Sequence, residues 1–357
     1  MFSTKTFPML TAAMAITVGI LAPAVNAADT PPAEPESAVV EHPEARTLAE
    51  QQRIQGYWTP HRMQQAYHEG EVPDPVGWDA DKLPDQDRTK PNSGAIWGGA
   101  GQIAKSVGRL FMNVSIYNLS TKELETRDLS CTATVVDSPS GSTVVTAAHC
   151  LMGRPYFKDG DPTKGQDTTR PVWDTKAYFV PGYRDGAKPY GGFTVNTSFI
   201  PKSYFEKGDL GSDVAMLAMN PAADGRTIAA VTGTQRIQFN APRSTGQFTY
   251  NFGYSADSSG QQEPWKTGQL LGYCAGPTTK NTDTPQWNHW GMRCDMVKGS
   301  SGGPHLVNFD VTTNTGTVVG VNSLGRPTPD GSFKDATPLG DTAYRAYLRA
   351  QQPPRGD

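Results

Sequence analysis

The sequence predicts an all-β fold, a barrel or a sandwich, because three observations agree. Short apolar, β-branched runs recur from about residue 107 onward, Gly, Pro, Asn and Asp separate them, and helical periodicity is scarce. The chain of 357 residues can bury a sizeable core, as one large domain or two ordinary ones. The predicted strands are 108–117, 129–136, 142–147, 177–180, 213–218, 248–252, 268–274, 304–307 and 317–322.

Residues 1–27 have the pattern of a secretory signal peptide. A lone Lys5 precedes an apolar stretch over residues 8–22, and Val25-Asn26-Ala27 offers a small-residue cleavage site. A membrane anchor is the competing interpretation, but the apolar run is short and Pro23 interrupts it. We therefore expect a secreted, extracellular protein without a membrane partner.

The leader, residues 28–95, differs in composition from the rest of the chain. It holds 13 Asp and Glu against 6 Lys and Arg, a charge near −7, together with nine prolines, whereas residues 96–357 are near +3. Such a segment is most simply a propeptide, although a disordered spacer has the same composition. Residues 48–67 are helix-like, with Trp58, Met63 and Tyr67 on an apolar face that Pro60 interrupts.

Charge and motif content exclude two classes of partner. The net charge of −3 and the lack of a basic, aromatic-rich stretch argue against nucleic acid. His149-Cys150 has no companion at a zinc-like spacing and HExxH is absent, so we expect no metal and no cofactor.

The run from Gly299 to Pro304 is too glycine-rich for a helix or strand interior, and it presents Ser301. A serine hydroxyl needs a base and backbone N–H donors before it can act as a nucleophile, and the N–H groups of Gly299 and Ser301 are candidates. The run also fits G-x-S-x-G, the α/β-hydrolase elbow. That fold needs a histidine well after the serine, and only His305 follows.

Two upstream motifs complete a catalytic pattern. His149 ends the apolar run in Thr146-Ala147-Ala148-His149-Cys150, and Asp213 opens Asp213-Val214-Ala215-Met216-Leu217. The order His, Asp, Ser, with these motifs, resembles the chymotrypsin/trypsin-like serine peptidases over roughly residues 100–350. The resemblance implies two six-stranded antiparallel β-barrels and a C-terminal helix, which Asp341 would cap and which would carry Ala343, Tyr347 and Leu348 on one side.

The resemblance also implies that residues 96–357 form a peptidase domain. In that domain Ser301 would be the nucleophile, His149 the base, and Asp213 the residue that orients the base. Asp209 is the competing aspartate; we prefer Asp213 because an apolar strand follows it. The implied function is a secreted, monomeric serine endopeptidase acting on proteins or peptides, with its own propeptide as a partner. The alternatives are an inactive binding protein on the same fold and an esterase that uses the same triad.

Four cysteines in an exported chain suggest two disulfides, for which three pairings are possible. In the resembling family a disulfide ties the loop beside the catalytic histidine to the preceding strand. This implies Cys131 with Cys150, which leaves Cys274 with Cys294.

The nucleophile loop, from Cys294 to Ser301, resembles the bacterial exported branch that includes glutamyl endopeptidases. Ile96-Trp97-Gly98-Gly99 looks like the new N-terminus of an activated trypsin, but Ser300 stands where that family keeps the aspartate acceptor. We therefore interpret residues 96–99 mainly as a turn.

Substrate preference is the least determined property. Asp295 lies six residues before Ser301, where trypsins keep the pocket carboxylate, which slightly favours Arg or Lys on the acyl side of the cut. Asn322, beside Ser323 and Gly325 in the strand flanking the pocket, stands where glutamate-specific relatives place a histidine. A broad or apolar pocket is the close alternative, and an acidic preference the weaker one.

Overall fold

The computed structural model describes residues 38–66, 87–98, 100–167, 169–256, 263–329 and 331–352. The predicted signal peptide and Tyr67 lie outside these ranges. The strands are β1 (Val39–Pro43), β2 (Asn92–Ile96), β3 (Val107–Tyr117), β4 (Leu124–Val135), β5 (Thr143–Thr146), β6 (Met152–Gly153), β7 (Val172–Trp173), β8 (Thr175–Pro181), β9 (Phe193–Pro201), β10 (Ala215–Met219), β11 (Arg236–Ile237), β12 (Phe248–Gly253), β13 (Gly272–Lys280), β14 (Trp290–Arg293), β15 (Pro304–Asp310), β16 (Thr315–Thr328) and β17 (Gly331–Pro338). The α-helices are α1 (Leu48–Tyr57), α2 (Pro60–Gln65), α3 (Gln102–Ser106), α4 (Lys202–Lys207), α5 (Ile228–Thr232) and α6 (Asp341–Ala350).

Six antiparallel strands close the first barrel. They pair in the order β9, β10, β5, β4, β3 and β8, and β8 pairs back with β9. Closure leaves no unpaired edge within this ring of strands. All four residues of β5 are buried, which explains why this strand reads as a continuous β-branched run.

The second barrel repeats this architecture with a different set of strands. β16, β15, β12, β13, β14 and β17 pair antiparallel in that order, and β16–β17 pairing closes the ring. The short β11 lies parallel to β16 at its margin. Two closed six-stranded antiparallel barrels and a C-terminal helix confirm the predicted fold class.

The strand predictions differ from the structure in several places. β13 begins at Gly272, later than predicted, because Gly268 has a left-handed φ of 71° and the chain bends there. Ile96 is the last residue of β2 and Trp97 is buried, so the predicted turn at residues 96–99 is wrong at its first position. Of the strands that form the two barrels, the sequence patterns did not predict β9, β14 and β17, and outside the barrels they did not predict the short strands β1, β2, β6, β7 and β11.

The C-terminal helix forms where predicted, with a different cap and face. Its N-cap is Gly340, and Asp341 is the first helical residue, which accepts a 2.6 Å hydrogen bond from Asn240 Nδ2. Ala343, Ala346 and Ala350 are buried, whereas Leu348 is exposed. The predicted apolar face was therefore correct at Ala343 and wrong at Leu348.

The described part of the leader adds one strand beside each six-stranded barrel. β1 pairs antiparallel with β9 of the first barrel, and β2 pairs antiparallel with β13 of the second. Glu41 in β1 also accepts two hydrogen bonds from Arg349 of α6, from Nε at 2.6 Å and from Nη2 at 2.8 Å. The acidic leader is thus tied to a basic side chain at the far end of the sequence.

The leader helices α1 and α2 have clear start signals. Thr47 and Glu50 form a reciprocal capping box at the start of α1, and Thr59 caps α2 with Pro60 in its first turn. Pro60 separates the two helices, as predicted. Trp58 and Met63 are fully buried, which agrees with the predicted apolar face.

Buried hydrogen bonds fix the leader helices on the first barrel. Trp58 Nε1 donates to Lys176 O at 2.7 Å. The buried guanidinium of Arg109 in β3 donates to Met63 O and Ala66 O, each at 3.1 Å. Carbonyls at the end of α2 therefore satisfy a charge that is enclosed in the domain.

We expect Trp58→Ala in the chain that retains the leader to lower the free energy of unfolding by about 3–5 kcal/mol, because it removes a fully buried aromatic side chain. Urea unfolding at constant m value measures the change. The matched control is Leu48→Ala in α1, where the side chain is 74% exposed and the expected change is within about 0.5 kcal/mol. Equal effects of the two substitutions would show that the leader is not packed as described.

Candidate active site

His149 and Asp213 meet at one end of the first barrel. His149 follows β5 in a short 3-10 turn, and Asp213 precedes β10. β5 and β10 pair antiparallel with Thr146 opposite Ala215, so the end of one strand lies beside the start of the other. Asp213 Oδ1 accepts from the His149 backbone N–H at 2.9 Å, and His149 Nδ1 lies 2.8 Å from Oδ2.

The Asp213 carboxylate receives a third hydrogen bond from the second barrel. Ser323 Oγ in β16 donates to Oδ2 at 2.6 Å, and the carboxylate itself is fully buried. The His149 side chain is 32% exposed, so its outer face is accessible. Ser323, which the sequence analysis assigned to substrate binding, therefore contacts the aspartate.

The pKa values of Asp213 and His149 are shifted in opposite directions, the first down and the second up. Burial raises the pKa of Asp213, but the His149 charge and the hydrogen bonds from His149 and Ser323 outweigh it and hold that pKa below its ordinary value. Burial lowers the pKa of His149, but the Asp213 charge and hydrogen bond outweigh it and raise that pKa. The arrangement therefore favours a negative aspartate and stabilises a positive imidazole.

The glycine-rich loop needs its glycines for two physical reasons. Gly299 and Gly302 have left-handed φ values of 80° and 78°. A Cβ on Gly299 would lie 2.5 Å from Tyr254 O, and one on Gly302 would lie 2.1 Å from Thr146 Oγ1. The chain at Ser301 is thus held against the end of β5, close to the turn that carries His149.

Thr132 in β4 holds this loop from the other side, and the sequence carried no signal for it. Its N–H donates to Ser301 O at 2.8 Å, and its Oγ1 donates to Gly299 O at 2.9 Å. The neighbouring Cys131 is bonded to Cys150, next to His149. The loop and the histidine turn are therefore anchored to one stretch of β4.

The loop leaves two amides without a protein acceptor. Within the described ranges, neither Gly299 N–H nor Ser301 N–H donates a hydrogen bond to the protein. Ser300 stabilises the loop, because its Oγ donates to Val297 O at 2.6 Å. One of these amides belongs to Ser301 itself, which is partly exposed, and the other lies two residues before it.

The other candidate residues have different surroundings. Asp209 caps a 3-10 turn, accepting from Gly211 N–H at 3.0 Å and Ser212 Oγ at 3.0 Å, and makes no bond to His149. Asp295 is half-buried, and its Oδ1 accepts from Ser332 N–H at 3.3 Å. His289 and His305 are buried within the second barrel, and burial lowers the pKa of His305 to about 3.

Both disulfides form with the pairing that the resemblance implied, Cys131–Cys150 and Cys274–Cys294. The two sulfurs beside His149 are therefore bonded to each other and are not free thiolates. No helix in the described ranges has the length and apolar character needed to cross a bilayer.

We expect Ser323→Ala to lower the free energy of unfolding by about 1.5–3 kcal/mol at neutral pH, because it removes a donor from a buried charge. The folded-state pKa of Asp213 lies below its ordinary value of 3.8, so this contribution is present above that pH and is lost as the pH falls through the folded-state pKa. Urea unfolding across that range measures it. Ser120→Ala, at an exposed turn, is the control, and a loss that stayed constant with pH would indicate packing alone.

Comparisons with known proteins agree with the fold and the motif order. The sequence family described as Trypsin matches residues 111–339. Two solved structures are similar: protease Anisep from Arthrobacter nicotinovorans, at 28% identity with a TM-score of 0.55, and the thermostable serine protease AL20 from an extremophilic microorganism, at 26% with a TM-score of 0.53. Each match covers 70% of this chain and 97% of the other.

A Glu endopeptidase solved in complex with MPD shares the fold at 16% identity, with a TM-score of 0.50 and coverage of 73% of this chain and 97% of the other. No curated protein sequence matches the chain. The family match spans more than half of the chain and agrees with the double barrel and the site geometry described above. The chain therefore belongs to the trypsin family of serine peptidases.

Proposed function

We propose that this protein is a secreted serine endopeptidase that cleaves peptide bonds through an acyl-enzyme on Ser301. The observation that carries the proposal is the buried Asp213 carboxylate, which holds Nδ1 of a partly exposed His149 at 2.8 Å. This geometry leaves Nε2 as the ring nitrogen available for proton transfer. Membership of the trypsin family supports peptides or proteins as the substrates.

In the proposed reaction, Ser301 Oγ attacks the carbonyl carbon while His149 Nε2 accepts the hydroxyl proton. The tetrahedral oxyanion accepts hydrogen bonds from Gly299 N–H and Ser301 N–H, where losing one donor typically costs about 2.7–4 kcal/mol. Collapse breaks the C–N bond, and His149 returns the proton to the leaving amine. A water molecule then attacks the acyl carbon while His149 accepts its proton; the bond from that carbon to Ser301 Oγ breaks, and His149 returns the proton to Oγ, which releases the acid product and restores Ser301.

The raised pKa of His149 suits the first proton transfer, from Ser301. A stronger base accepts the Ser301 proton more readily, and Asp213 stabilises the imidazolium that results. In the best-studied triad, loss of the aspartate charge lowers the rate by about four orders of magnitude. The proposal assigns Asp213 that role.

We further propose that residues 1–27 direct export and that residues 28–95 form a prosegment, leaving 96–357 as a monomeric peptidase domain. The similar solved structures support this division, because the two described above are covered almost completely by 70% of this chain. The two disulfides suit an oxidising, extracellular location. The contacts of β1, α1 and α2 with the first barrel support a prosegment that folds against the domain.

We expect Ser301→Ala and His149→Ala each to abolish protease activity, by roughly 10⁶-fold in kcat, while the fold remains intact. The double variant should be no more than several-fold slower than either single variant, because triad members act as a unit. Casein hydrolysis, with circular dichroism as the folding control, measures this.

A fluorophosphonate probe should label the wild-type protein at Ser301 and leave Ser301→Ala unlabelled. Losses that multiplied in the double variant would contradict the triad. Labelling and ester hydrolysis without any cleavage of denatured protein would indicate an esterase, and no labelling at all would indicate an inactive binding protein.

We expect the active enzyme in the culture medium to begin near residue 96, because the acidic leader differs in composition from the domain and lies outside the family match at residues 111–339. N-terminal sequencing of the secreted protein determines this. An active enzyme beginning at Ala28 would show that the leader is a permanent part of the molecule.

A further inference from the structure

Lys334 is a nearly buried lysine in the strand that closes the second barrel. It belongs to β17, where it pairs with Gly325 of β16, and it is only 6% exposed. A Cβ on Gly325 would lie 3.8 Å from Lys334 Nζ, so the ammonium lies beside that glycine. Gly325 is two residues from Ser323, whose hydroxyl contacts Asp213. The ammonium is therefore close to the catalytic pair proposed above.

Electrostatic interactions support this position. The positive charge of Lys334 acts on both His149 and His305: it adds to the effect of burial that lowers the pKa of His305, and it opposes the stronger effect of Asp213 that raises the pKa of His149. Burial lowers the pKa of Lys334 itself to about 8, partly offset by Asp335. The side chain therefore remains mostly protonated at neutral pH.

The ammonium has no counterion in the part of the chain that the structure describes. No carboxylate lies within ion-pair distance of Lys334 Nζ, and the adjacent Asp335 is bound elsewhere, by Asn281 Nδ2 at 2.7 Å and Arg326 Nε at 3.1 Å. Lys334 is 6% exposed, so its side chain is not completely enclosed. Because Nζ lies beside Gly325, which has no side chain, the approach to the ammonium from that side is not blocked by a side chain at position 325.

A buried charge without a partner is destabilising, and a ligand of opposite charge would offset the cost. Of the common protein side chains, only the carboxylates of Asp and Glu carry that charge at neutral pH. A peptide that placed such a carboxylate beside Gly325 would gain an ion pair in a largely dehydrated setting.

Of the pocket residues that the sequence analysis considered, Asn322 is fully engaged, whereas the Asp295 carboxylate accepts a single hydrogen bond from the protein. Asn322 Nδ2 donates to Asn251 Oδ1 and Ser300 O, and its Oδ1 accepts from Asn251 Nδ2 and lies 3.0 Å from His305 Nε2. This amide has no capacity left for substrate. Asp295 accepts the Ser332 N–H, and its own N–H donates to Ser93 O at 2.7 Å.

We propose that Lys334 is the charged group of the primary specificity pocket and that the enzyme prefers Glu or Asp on the acyl side of the cut. This proposal rests on the proposed function and replaces the slight preference for basic substrates inferred from Asp295. Lys334 acts by binding the substrate side chain, and it takes no part in the proton transfers.

The test compares the secreted wild-type enzyme with Lys334→Met, which keeps the length without the charge, and Lys334→Arg, which keeps the charge. Matched peptides with Glu or Gln at the cleaved position give kcat/KM. Wild type should prefer Glu by roughly 100-fold, in the range expected for a desolvated charge pair, and Lys334→Met should lose that preference. Lys334→Arg should retain most of it, and Lys280→Met, at an exposed position on β13, should behave as wild type.

Fluorophosphonate labelling of Ser301 separates this proposal from the proposed function, because it reports an intact nucleophile whatever the pocket prefers. A labelled wild-type enzyme that cleaves mainly after Arg or Lys, or a Glu preference unchanged in Lys334→Met, would overturn the assignment of Lys334. A second measurement needs no turnover: the Ser301→Ala protein should bind the Glu peptide more tightly than the Gln peptide by fluorescence anisotropy. Equal binding would also overturn it.

Discussion

A carboxylate without access to water must be met by hydrogen-bond donors, and Asp213 is such a carboxylate. Two donors come from His149 in the first barrel and the third is Ser323 in the second. Because leaving a buried charge unpaired costs several kcal/mol, the two barrels are constrained to the relative position that brings Ser323 to Asp213. The positions of the glycine-rich loop, which carries Ser301, and of the β16–β17 pair, which carries Lys334, depend on this contact.

Much of the fold could be predicted because the chain alternates β-rich runs with turn residues. Two of the missed barrel strands, β14 and β17, lack that contrast. β17 carries Lys334 and Asp335 in its buried centre, charges that are compatible with a strand only because of their particular surroundings. β14 has only four residues and contains a glycine. Such elements are specified by their neighbours more than by their own side chains.

The candidate site shows the same limit. His149, Asp213 and Ser301 lie in local motifs, and the sequence therefore identified them as candidates. The cysteine pairing that the resemblance implied was confirmed by the structure. Thr132 and Lys334 come from strands whose sequences contain no motif. Their place beside the site depends on contacts with residues elsewhere in the chain, which the sequence does not show. Asp341 illustrates a smaller error, since a residue able to cap a helix lies one position inside it.

The two leader strands have a consequence for the order of folding. β1 leaves the ribosome early, but Val39 pairs with Pro201 and Ala95 pairs with Tyr273, so each partner is synthesised more than 150 residues later. Pairings of such high contact order form late, since the loop between them must close first. The pairing of β1 must therefore wait until Pro201 has been synthesised and that of β2 until Tyr273, so the leader strands dock on their sheets late in the folding of the chain.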